Sequence, residues 1–251
     1  NRGYRVFATA RKQSDVDDLV SAGFESVQLD LADSASIKTA VTKVFEATGG
    51  NLYALFNNGA YGQPGAVEDL RRDVLREIFE VNLFGTQELT NLVIPVMRKQ
   101  GYGRIIQNSS VLGLVALKYR GAYNASKYAL EGLSDTLRME LQGTGIHVCL
   151  IEPGPVASAF RKNAHLAYLR NINKEHSYHR LIYSVMEQRL QKKEAVVPFT
   201  LGPDAVFQKV IHALESKKPH IRYYVTFPTY LFAYLKRVLP ARWMDAILRR
   251  I

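Results

Sequence analysis

Short apolar runs and longer amphipathic stretches alternate along most of this chain. The β-rich runs cover residues 4–8, 26–29, 52–56, 104–108, 146–151 and 221–225. Between them, apolar positions recur at helical spacing over residues 16–22, 34–47, 71–98, 122–142 and 203–216. Strands that alternate with helices in this way build parallel βαβ units. The pattern therefore predicts an α/β, Rossmann-like, doubly wound parallel sheet with helices on both faces.

The start of the chain departs from this pattern. A doubly wound sheet that binds a dinucleotide opens with a strand, a Gly-rich turn and a helix. Here Gly3 has the position of a helix C-cap and is followed at once by the run at 4–8. We expect residues 1–251 to form one domain that lacks its first strand and helix, and that folds poorly and binds its cofactor weakly on its own.

A tyrosine and a lysine lie four residues apart near the start of the helix predicted over 122–142. This spacing places Tyr123 and Lys127 on one face, one turn apart. A free phenol has a pKa of about 10, and a nearby ammonium lowers it toward a range useful for proton transfer. Ser110 follows the strand predicted over 104–108 and could donate to the same substrate oxygen. Taken alone, however, such a Tyr–Lys pair is usually an exposed surface pair.

Further motifs surround these three residues. In chain order they are Asn57-Asn-Gly-Ala-Tyr-Gly62, Val81-Asn-Leu-Phe-Gly85, Ser109-Ser110, Tyr123-x-x-x-Lys127 and Pro153-Gly-Pro-Val156. Together they resemble the short-chain dehydrogenases/reductases over essentially the whole chain. Within that family the chain is similar to the retinol and hydroxysteroid dehydrogenase branch. It is especially similar to bacterial NADP-dependent aldehyde reductases, down to the segment Phe199-Thr-Leu-Gly-Pro203.

The resemblance implies catalytic roles for four residues. Tyr123 is the general acid in carbonyl reduction and the base in alcohol oxidation, and Ser110 orients and polarises the substrate oxygen. Lys127 lowers the pKa of the tyrosine and holds the nicotinamide ribose. Asn82, an unfavourable residue inside a helix, supports a proton-relay water; its alternative role is that of an ordinary solvated helix residue. The implied strand order, 3-2-1-4-5-6-7, makes the absent first strand central, which leaves the runs at 4–8 and 26–29 without a partner in the remaining sheet.

The cofactor preference is predicted from the end of the run at 4–8. Where NAD-binding members carry an aspartate, this chain has Ala10 followed by Arg11 and Lys12. Two cations beside a vacant acidic position suit the 2′-phosphate of NADP(H), although a basic surface turn would look the same. The resemblance places further cofactor contacts at Asp30, Leu31, Asn57, Pro153, Gly154, Val156 and Ser158, as well as at Tyr123 and Lys127. The family's Asn-Asn-Ala-Gly here ends in Gly59-Ala60, and Ala60 would cost energy if that position needed an unusual backbone conformation.

Residues 160–194 occupy the place of the family's substrate-binding lid. Their apolar members are Phe160, Leu166, Tyr168, Leu169, Tyr178, Leu181, Ile182, Tyr183 and Met186. They favour a small apolar carbonyl or alcohol substrate, or they simply pack the lid itself. Three histidines in this segment have no cysteine or aspartate cluster around them, so no metal site is expected.

The net charge of +10 is unevenly distributed. Residues 1–159 carry 16 basic and 17 acidic side chains, whereas residues 160–194 carry 8 and 3, and residues 220–251 carry 6 and 1. No nucleic-acid-binding motif accompanies the charge, and we expect no nucleic-acid partner. The amphipathic basic tail at 226–251 either lies on an anionic membrane surface, docks on a partner subunit, or covers its own core with snorkelling basic side chains.

Two function classes follow from these observations. The first is an NADP(H)-dependent oxidoreductase that interconverts an apolar aldehyde or ketone and its alcohol. The alternative is a non-catalytic, dehydrogenase-like binding protein that has lost its cofactor-binding turn. We expect a cytoplasmic protein, membrane-peripheral if the tail binds lipid, and a homo-oligomer paired through the helices at 71–98 and 122–142. Cys149, the single cysteine, lies in an apolar run and is predicted to be a buried, inert thiol.

Overall fold

The computed structural model describes residues 2–192 and 197–251. The strands are β1 (Phe7–Ala10), β2 (Glu25–Gln28), β3 (Ala54–Asn57), β4 (Gly103–Asn108), β5 (Ile146–Glu152) and β6 (Arg222–Tyr224). The α-helices are α1 (Gln13–Ser21), α2 (Ser34–Thr48), α3 (Arg72–Phe79), α4 (Thr86–Gln100), α5 (Gly121–Glu140), α6 (Phe160–Asn171), α7 (Arg180–Gln191), α8 (Asp204–Glu215), α9 (Phe227–Val238) and α10 (Ala241–Leu248). Each predicted strand overlaps an observed one, and the bounds differ by up to three residues.

The strands form two parallel sheets. β1 pairs with β2 in one, and the other has the order β3-β4-β5-β6. The Rossmann-like α/β fold is thus confirmed. So is the expectation that the first two predicted strands do not pair with the rest: no strand ladder joins the two sheets in the part of the chain that the structure describes.

The helix predicted over 71–98 is wrong as one continuous element. It divides into α3, a π-helical turn at Glu80–Gly85 and α4. At Gly85 an added Cβ would lie 1.8 Å from the carbonyl oxygen of Leu31, so the backbones touch there and only glycine fits. The wider turn ends at this close tertiary contact, which periodicity in the sequence does not report.

Two apolar clusters cover the two faces of the four-stranded sheet. Ile105 and Val148 point toward α4, where they pack with Val93 and Met97. Cys149 points to the opposite face, in the cluster that includes Ile106, Ile151 and residues of α8. Cys149 is buried as predicted, and burial raises the pKa of its thiol to about 11. The alternation along β4 and β5 is what a sheet covered on both faces requires.

The predicted lid at 160–194 forms α6 and α7, with residues 193 and 194 outside the described residues. Its apolar side chains divide into two sets. Tyr168, Tyr183 and Met186 are buried against α3 and α5, so for these three the packing interpretation is confirmed. The exposed set is Phe160, Leu166, Leu169, Tyr178, Leu181 and Ile182. Asp69 anchors the lid by accepting hydrogen bonds from Tyr183 and from the Ser177 hydroxyl, the latter at 2.6 Å.

The C-terminal helices α9 and α10 pack on the loop that follows β4. Phe232, Met244 and Leu248 form a buried cluster with Val115 of that loop. The inner face of the tail therefore covers the protein's own core, which is one of the three interpretations that the sequence left open.

Among residues 2–192 and 197–251, no helix combines the length and the apolar character needed to cross a bilayer.

Candidate active site

The structure brings the predicted catalytic residues together at the carboxyl end of β4. Ser110 lies two residues beyond that strand and caps a single 3-10 turn, where its hydroxyl accepts a hydrogen bond from the Leu112 amide at 3.1 Å. Tyr123 and Lys127 lie in the first turns of α5, which packs against β5. All three side chains are buried. Ser110 at the end of a strand and the Tyr123–Lys127 pair on a helix are thus brought to one site.

Tyr123 is a protonated phenol held beside Ser110. Burial raises the pKa of Tyr123 to about 12, and the hydrogen bond with the Ser110 side chain acts in the opposite direction. This outcome reverses the direction expected from Lys127 alone, because desolvation of the phenolate outweighs the other influences on it here. A phenol with a raised pKa holds its proton at neutral pH, as a proton donor must before it acts.

Lys127 is buried behind the tyrosine. Its ammonium donates to the carbonyl oxygen of Asn108 at 2.7 Å and lies 5.7 Å from the centre of the Tyr123 ring. Burial lowers the pKa of Lys127 to about 8, and Glu131, one turn further along α5, acts to raise it. An ammonium has three N–H donors, and within the described residues only the bond to Asn108 is formed.

Asn82 is fully engaged by its neighbours. Its side-chain oxygen accepts from the Tyr61 amide at 3.1 Å, and its amide group donates to the Tyr61 carbonyl at 2.9 Å and to the Ser126 hydroxyl at 3.2 Å. Ser126 in turn donates to the carbonyl of Tyr123 at 2.9 Å. The side chain of Asn82 therefore ties the π-helical turn to α5 and to the loop after β3. The relay water predicted for this residue stays a prediction.

The predicted cofactor residues come from the carboxyl ends of several strands. Arg11 follows β1 and lies exposed beside Lys12, and neither side chain forms an ion pair in the described part of the chain. Asp30 follows β2, and its carboxylate accepts from the Ala32 amide at 2.9 Å within its own turn. Leu31, next to Asp30, lies against Gly59 in the loop after β3, so the carboxyl ends of β2 and β3 lie on one side of the molecule, the side where such folds bind ligands.

Leu31 and Asn57 have structural roles that sequence did not predict. Leu31 contacts Gly85 through its backbone and lies against Gly59, where an added Cβ would be 2.7 Å from its side chain. Asn57 is buried and donates to Thr90 at 2.9 Å and to Gln107 at 3.0 Å. Ala60 does not have a positive φ angle, so the altered Asn-Asn-Gly-Ala order costs no backbone strain there.

The segment after β5 is held from both sides. The Pro153 carbonyl accepts from the Val111 amide at 2.8 Å, next to Ser110. Gly154 packs on the start of α9, since a Cβ there would be 2.1 Å from the Thr226 hydroxyl. Val156 forms a β-bridge with Leu201, and the Ser158 hydroxyl accepts from the Phe160 amide at 3.3 Å.

Two features of the site were missed by sequence reasoning. The first is the contact between Phe160, which the sequence places in the lid segment, and Tyr123: the two rings pack edge-on with 5.2 Å between centroids, so α6 begins at the Tyr123 ring. The second is a cluster of charges in which Arg222 of β6 contacts Glu131 at 2.9 Å, Asp135 at 2.7 Å and the buried Glu152 at 3.0 Å. The spacing of Lys127, Glu131 and Asp135 at every fourth residue of α5 is the only sequence signal of this cluster.

The site also fits a nicotinamide cofactor by the chemistry of its donors. Lys127 presents buried N–H groups that match ribose hydroxyls, and the side-chain oxygen of Asn108 is buried without a partner in the described structure. Arg11 and Lys12 supply positive charge without an ion-pair partner among the described residues, at the carboxyl end of β1. These groups suit a long, polar, anionic ligand that runs along the strand ends.

Comparison with known proteins places the chain in a family. The family model described as short chain dehydrogenase matches residues 1–168. An uncharacterized oxidoreductase of Escherichia coli, YbbO, is 41% identical over 99% of this chain and 86% of its own length. Human 17-beta-hydroxysteroid dehydrogenase type 1 is 31% identical over 90% of this chain and 70% of its own length. Human retinol dehydrogenase 8 is 29% identical over 87% of this chain and 71% of its own length.

A solved structure agrees with these relatives. The crystal structure of a short-chain dehydrogenase from Streptomyces avermitilis superposes with a TM-score of 0.76, is 28% identical, and covers 97% of this chain and 86% of that chain. The similarity extends well beyond residue 168, through the lid and toward the tail. The predicted resemblance to the hydroxysteroid and retinol dehydrogenase branch is thus confirmed.

Proposed function

The chain belongs to the short chain dehydrogenase family of NAD(P)-binding oxidoreductases, and from this premise we propose that it is an NADP(H)-dependent enzyme that interconverts an apolar aldehyde or ketone and its alcohol. The observation that carries the proposal is the buried group formed by Ser110, Tyr123 and Lys127 at the end of β4. Bound nicotinamide supplies or accepts the hydride, and the chain supplies orientation and a path for the proton.

Each residue of this group has a distinct part in the mechanism. Tyr123, protonated at neutral pH, donates its phenolic proton to the carbonyl oxygen during reduction. Ser110 hydrogen-bonds the same oxygen and fixes its position next to the phenol. Lys127 stabilises the phenolate that is left after transfer, because its ammonium lies 5.7 Å from the ring centre in a water-poor site. The carbonyl oxygen of Asn108 orients that ammonium.

NADP(H) is proposed over NAD(H) because of the positive charge at the end of β1. Arg11 and Lys12 are both exposed, and no carboxylate of the described residues neutralises them. A guanidinium fork is well matched to a phosphate monoester such as the 2′-phosphate of NADP. Ala10, in the position of the NAD-selective aspartate, leaves room for that phosphate.

The proposed substrate is apolar because apolar side chains enclose the catalytic phenol. Phe160 covers the Tyr123 ring, and Tyr61 packs against the same cluster as Tyr123, Tyr168 and Tyr183. An aldehyde or ketone carried on a hydrocarbon body would displace Phe160 and keep this environment dry. Similarity to aldehyde reductases, a homo-oligomer paired through α3, α4 and α5, and a cytoplasmic location remain predictions.

The test is NADPH oxidation with medium- and long-chain aldehydes by the protein and by Tyr123→Phe. Loss of the phenolic proton should lower kcat/KM by about 10²–10⁴-fold, the range of general acid catalysis. Tyr102→Phe is the matched control, since the same hydroxyl is removed from a tyrosine that is 48% exposed between α4 and β4. Equal turnover by Tyr123→Phe would refute the proposed role, and lack of NADPH oxidation with any carbonyl would favour the non-catalytic alternative.

A further inference from the structure

The outer face of α9 carries an exposed apolar stripe. Five side chains at helical spacing lie on it, with exposed fractions of 57% for Phe227, 40% for Tyr230, 39% for Leu231, 60% for Tyr234 and 73% for Val238. The opposite face, with Thr229, Phe232 and Ala233, is buried. The helix is therefore apolar where it meets the core and along this exposed stripe, which lies beside the exposed Lys236 and Arg237, and burial in the core explains only the first apolar face.

Neighbouring elements extend this surface. The ring of Phe199 lies 5.1 Å from that of Phe227 and is 59% exposed. On α10, Trp243 is 65% exposed and Ile247 is 37% exposed, whereas Met244 and Leu248 of the same helix are buried. Large exposed aromatic side chains that gather in this way mark an interaction surface rather than scattered surface apolar residues. We call the outer side chains of α9 and α10, with Phe199, the tail surface.

Three arginines of the tail surface lie on or beside α10. Arg242, Arg249 and Arg250 lie on or directly after α10, and none of them forms an ion pair within residues 2–192 and 197–251. Asp245 is the single acidic residue of 220–251, against six basic ones. Tyrosine, tryptophan and phenylalanine beside unpaired arginines match the boundary between acyl chains and anionic headgroups.

We propose that the tail surface binds an anionic lipid bilayer, with α9 and α10 lying in the plane of the headgroups. The apolar stripe enters the boundary with the acyl chains, and the arginines contact lipid phosphates and carboxylates. Charge favours lipid over a second copy of this chain, because a two-fold contact through this face would bring two clusters of unpaired arginines together. The proposal concerns binding alone and is independent of the reaction proposed above.

Co-sedimentation of the full chain with sucrose-loaded vesicles tests the proposal. We expect binding to phosphatidylcholine vesicles that contain about 30 mol% phosphatidylserine, and binding at least about tenfold weaker without the anionic lipid, because each basic residue near such a surface contributes about a fivefold increase. Added salt should weaken the binding to anionic vesicles. Equal binding to neutral and anionic vesicles, or no binding to either, would overturn the proposal.

Variants locate the binding face. Tyr234→Ser combined with Val238→Ser should lower vesicle binding about tenfold, since two apolar side chains no longer leave water. Replacing Arg242, Arg249 and Arg250 with Gln should abolish the preference for phosphatidylserine. Val20→Ser combined with Met139→Ser is the matched control, as these residues are 54% and 62% exposed on α1 and α5.

Gel filtration of the same variants separates lipid binding from self-association. The wild type and the stripe variant should show the same oligomeric state. If Tyr234→Ser with Val238→Ser instead converts an oligomer into a smaller species while vesicle binding is unchanged, the tail surface is a contact between copies and the lipid proposal is wrong. Far-ultraviolet circular dichroism checks that each variant is folded.

Discussion

The two parallel sheets of this protein are built alike and buried very differently. In the described structure, Val27 is the one buried residue of β1 and β2. In β5, by contrast, six of the seven residues are buried. Both sheets pair in parallel with regular register. The difference lies in how the helices cover the two sheets. Apolar side chains of α4 pack on one face of the four-stranded sheet and those of α8 pack on the other.

A buried cluster of Ile37, Val41 and Leu89 joins α2 to α4 next to the end of β2, and the other contacts that hold the sheet of two strands lie at its surface. Arg5 donates to Glu25 at 2.6 Å and to the carbonyl of Ala47 at 2.7 Å, and Tyr4 stacks on Tyr53 with 6.2 Å between ring centroids. Exposed contacts of this kind contribute little to stability. The proposed chemistry divides along the same line, because the catalytic residues belong to the buried sheet and the residues that choose the cofactor belong to the exposed one.

The largest expected effect concerns the buried ammonium of Lys127. Its pKa in the folded protein is about 8, below its ordinary value of 10.5, so the unfolded chain holds the proton over a range in which the folded protein has lost it. The contribution of Lys127 to stability therefore rises between about pH 8 and pH 10, by up to about 3 kcal/mol. Lys127→Met should remove this rise in urea-unfolding measurements.

Lys12→Met is the control for that experiment, because the side chain is exposed beside β1. It should leave the pH dependence of the free energy of unfolding as in the wild type. If Lys127→Met has the same pH dependence as the wild type, the ammonium is not desolvated in solution and the contrast between the two regions fails.

A matched pair of valines measures the difference in cover. Val148→Ala should lower the free energy of unfolding by about 2–3 kcal/mol, since it leaves a cavity in the cluster with Val93, Met97 and Ile105. Val27→Ala in β2 should cost about 1 kcal/mol, because the side chain has few buried neighbours to lose. Equal losses in chemical denaturation would show that the sheet of two strands is as well packed as the other.

Cofactor preference should depend on the exposed sheet alone. Arg11→Gln removes the guanidinium proposed to bind the 2′-phosphate and should raise KM for NADPH about tenfold while kcat is unchanged, as expected for one charge-assisted hydrogen bond. KM for NADH should not change. Arg72→Gln, an exposed arginine at the start of α3, is the control. A parallel rise in KM for both cofactors would contradict the proposed phosphate contact.

The smallest effect is expected at the ion pair that fastens β1. Arg5→Gln should change the free energy of unfolding by less than about 1 kcal/mol, because both partners are exposed. Amide hydrogen exchange should nevertheless become faster in β1 and β2 and remain unchanged in β4 and β5. Uniform acceleration over all four strands would mean that the two sheets open together rather than separately.

Local patterns in the sequence were sufficient for much of the site. The spacing of Tyr123 and Lys127 predicts two side chains on one helical face, and the structure shows them at the start of α5. The strand ends that carry Arg11, Asp30 and Ser110 follow from alternating apolar runs. These features depend on residues close in the chain, where helical and strand periodicity fix geometry directly.

Contacts between residues distant in the chain could not be predicted from these local patterns. The π-helical turn at Glu80–Gly85 ends where Gly85 meets the backbone of Leu31, and the raised pKa of Tyr123 results from its burial, with the Phe160 ring packed against it. The sequence left the tail with three interpretations. The fold shows that one face of α9 covers the core and the other faces solvent.

The sequence by itself therefore determined the α/β architecture, the placement of Tyr123 and Lys127 on one helical face and the concentration of basic residues beyond residue 159. Tertiary structure alone decided which of these groups lose water and which keep it. Whether a side chain is hydrated depends on which elements, distant in the chain, pack against it. This packing shifts the pKa values of the site, buries the two sheets to different extents and leaves the tail surface exposed.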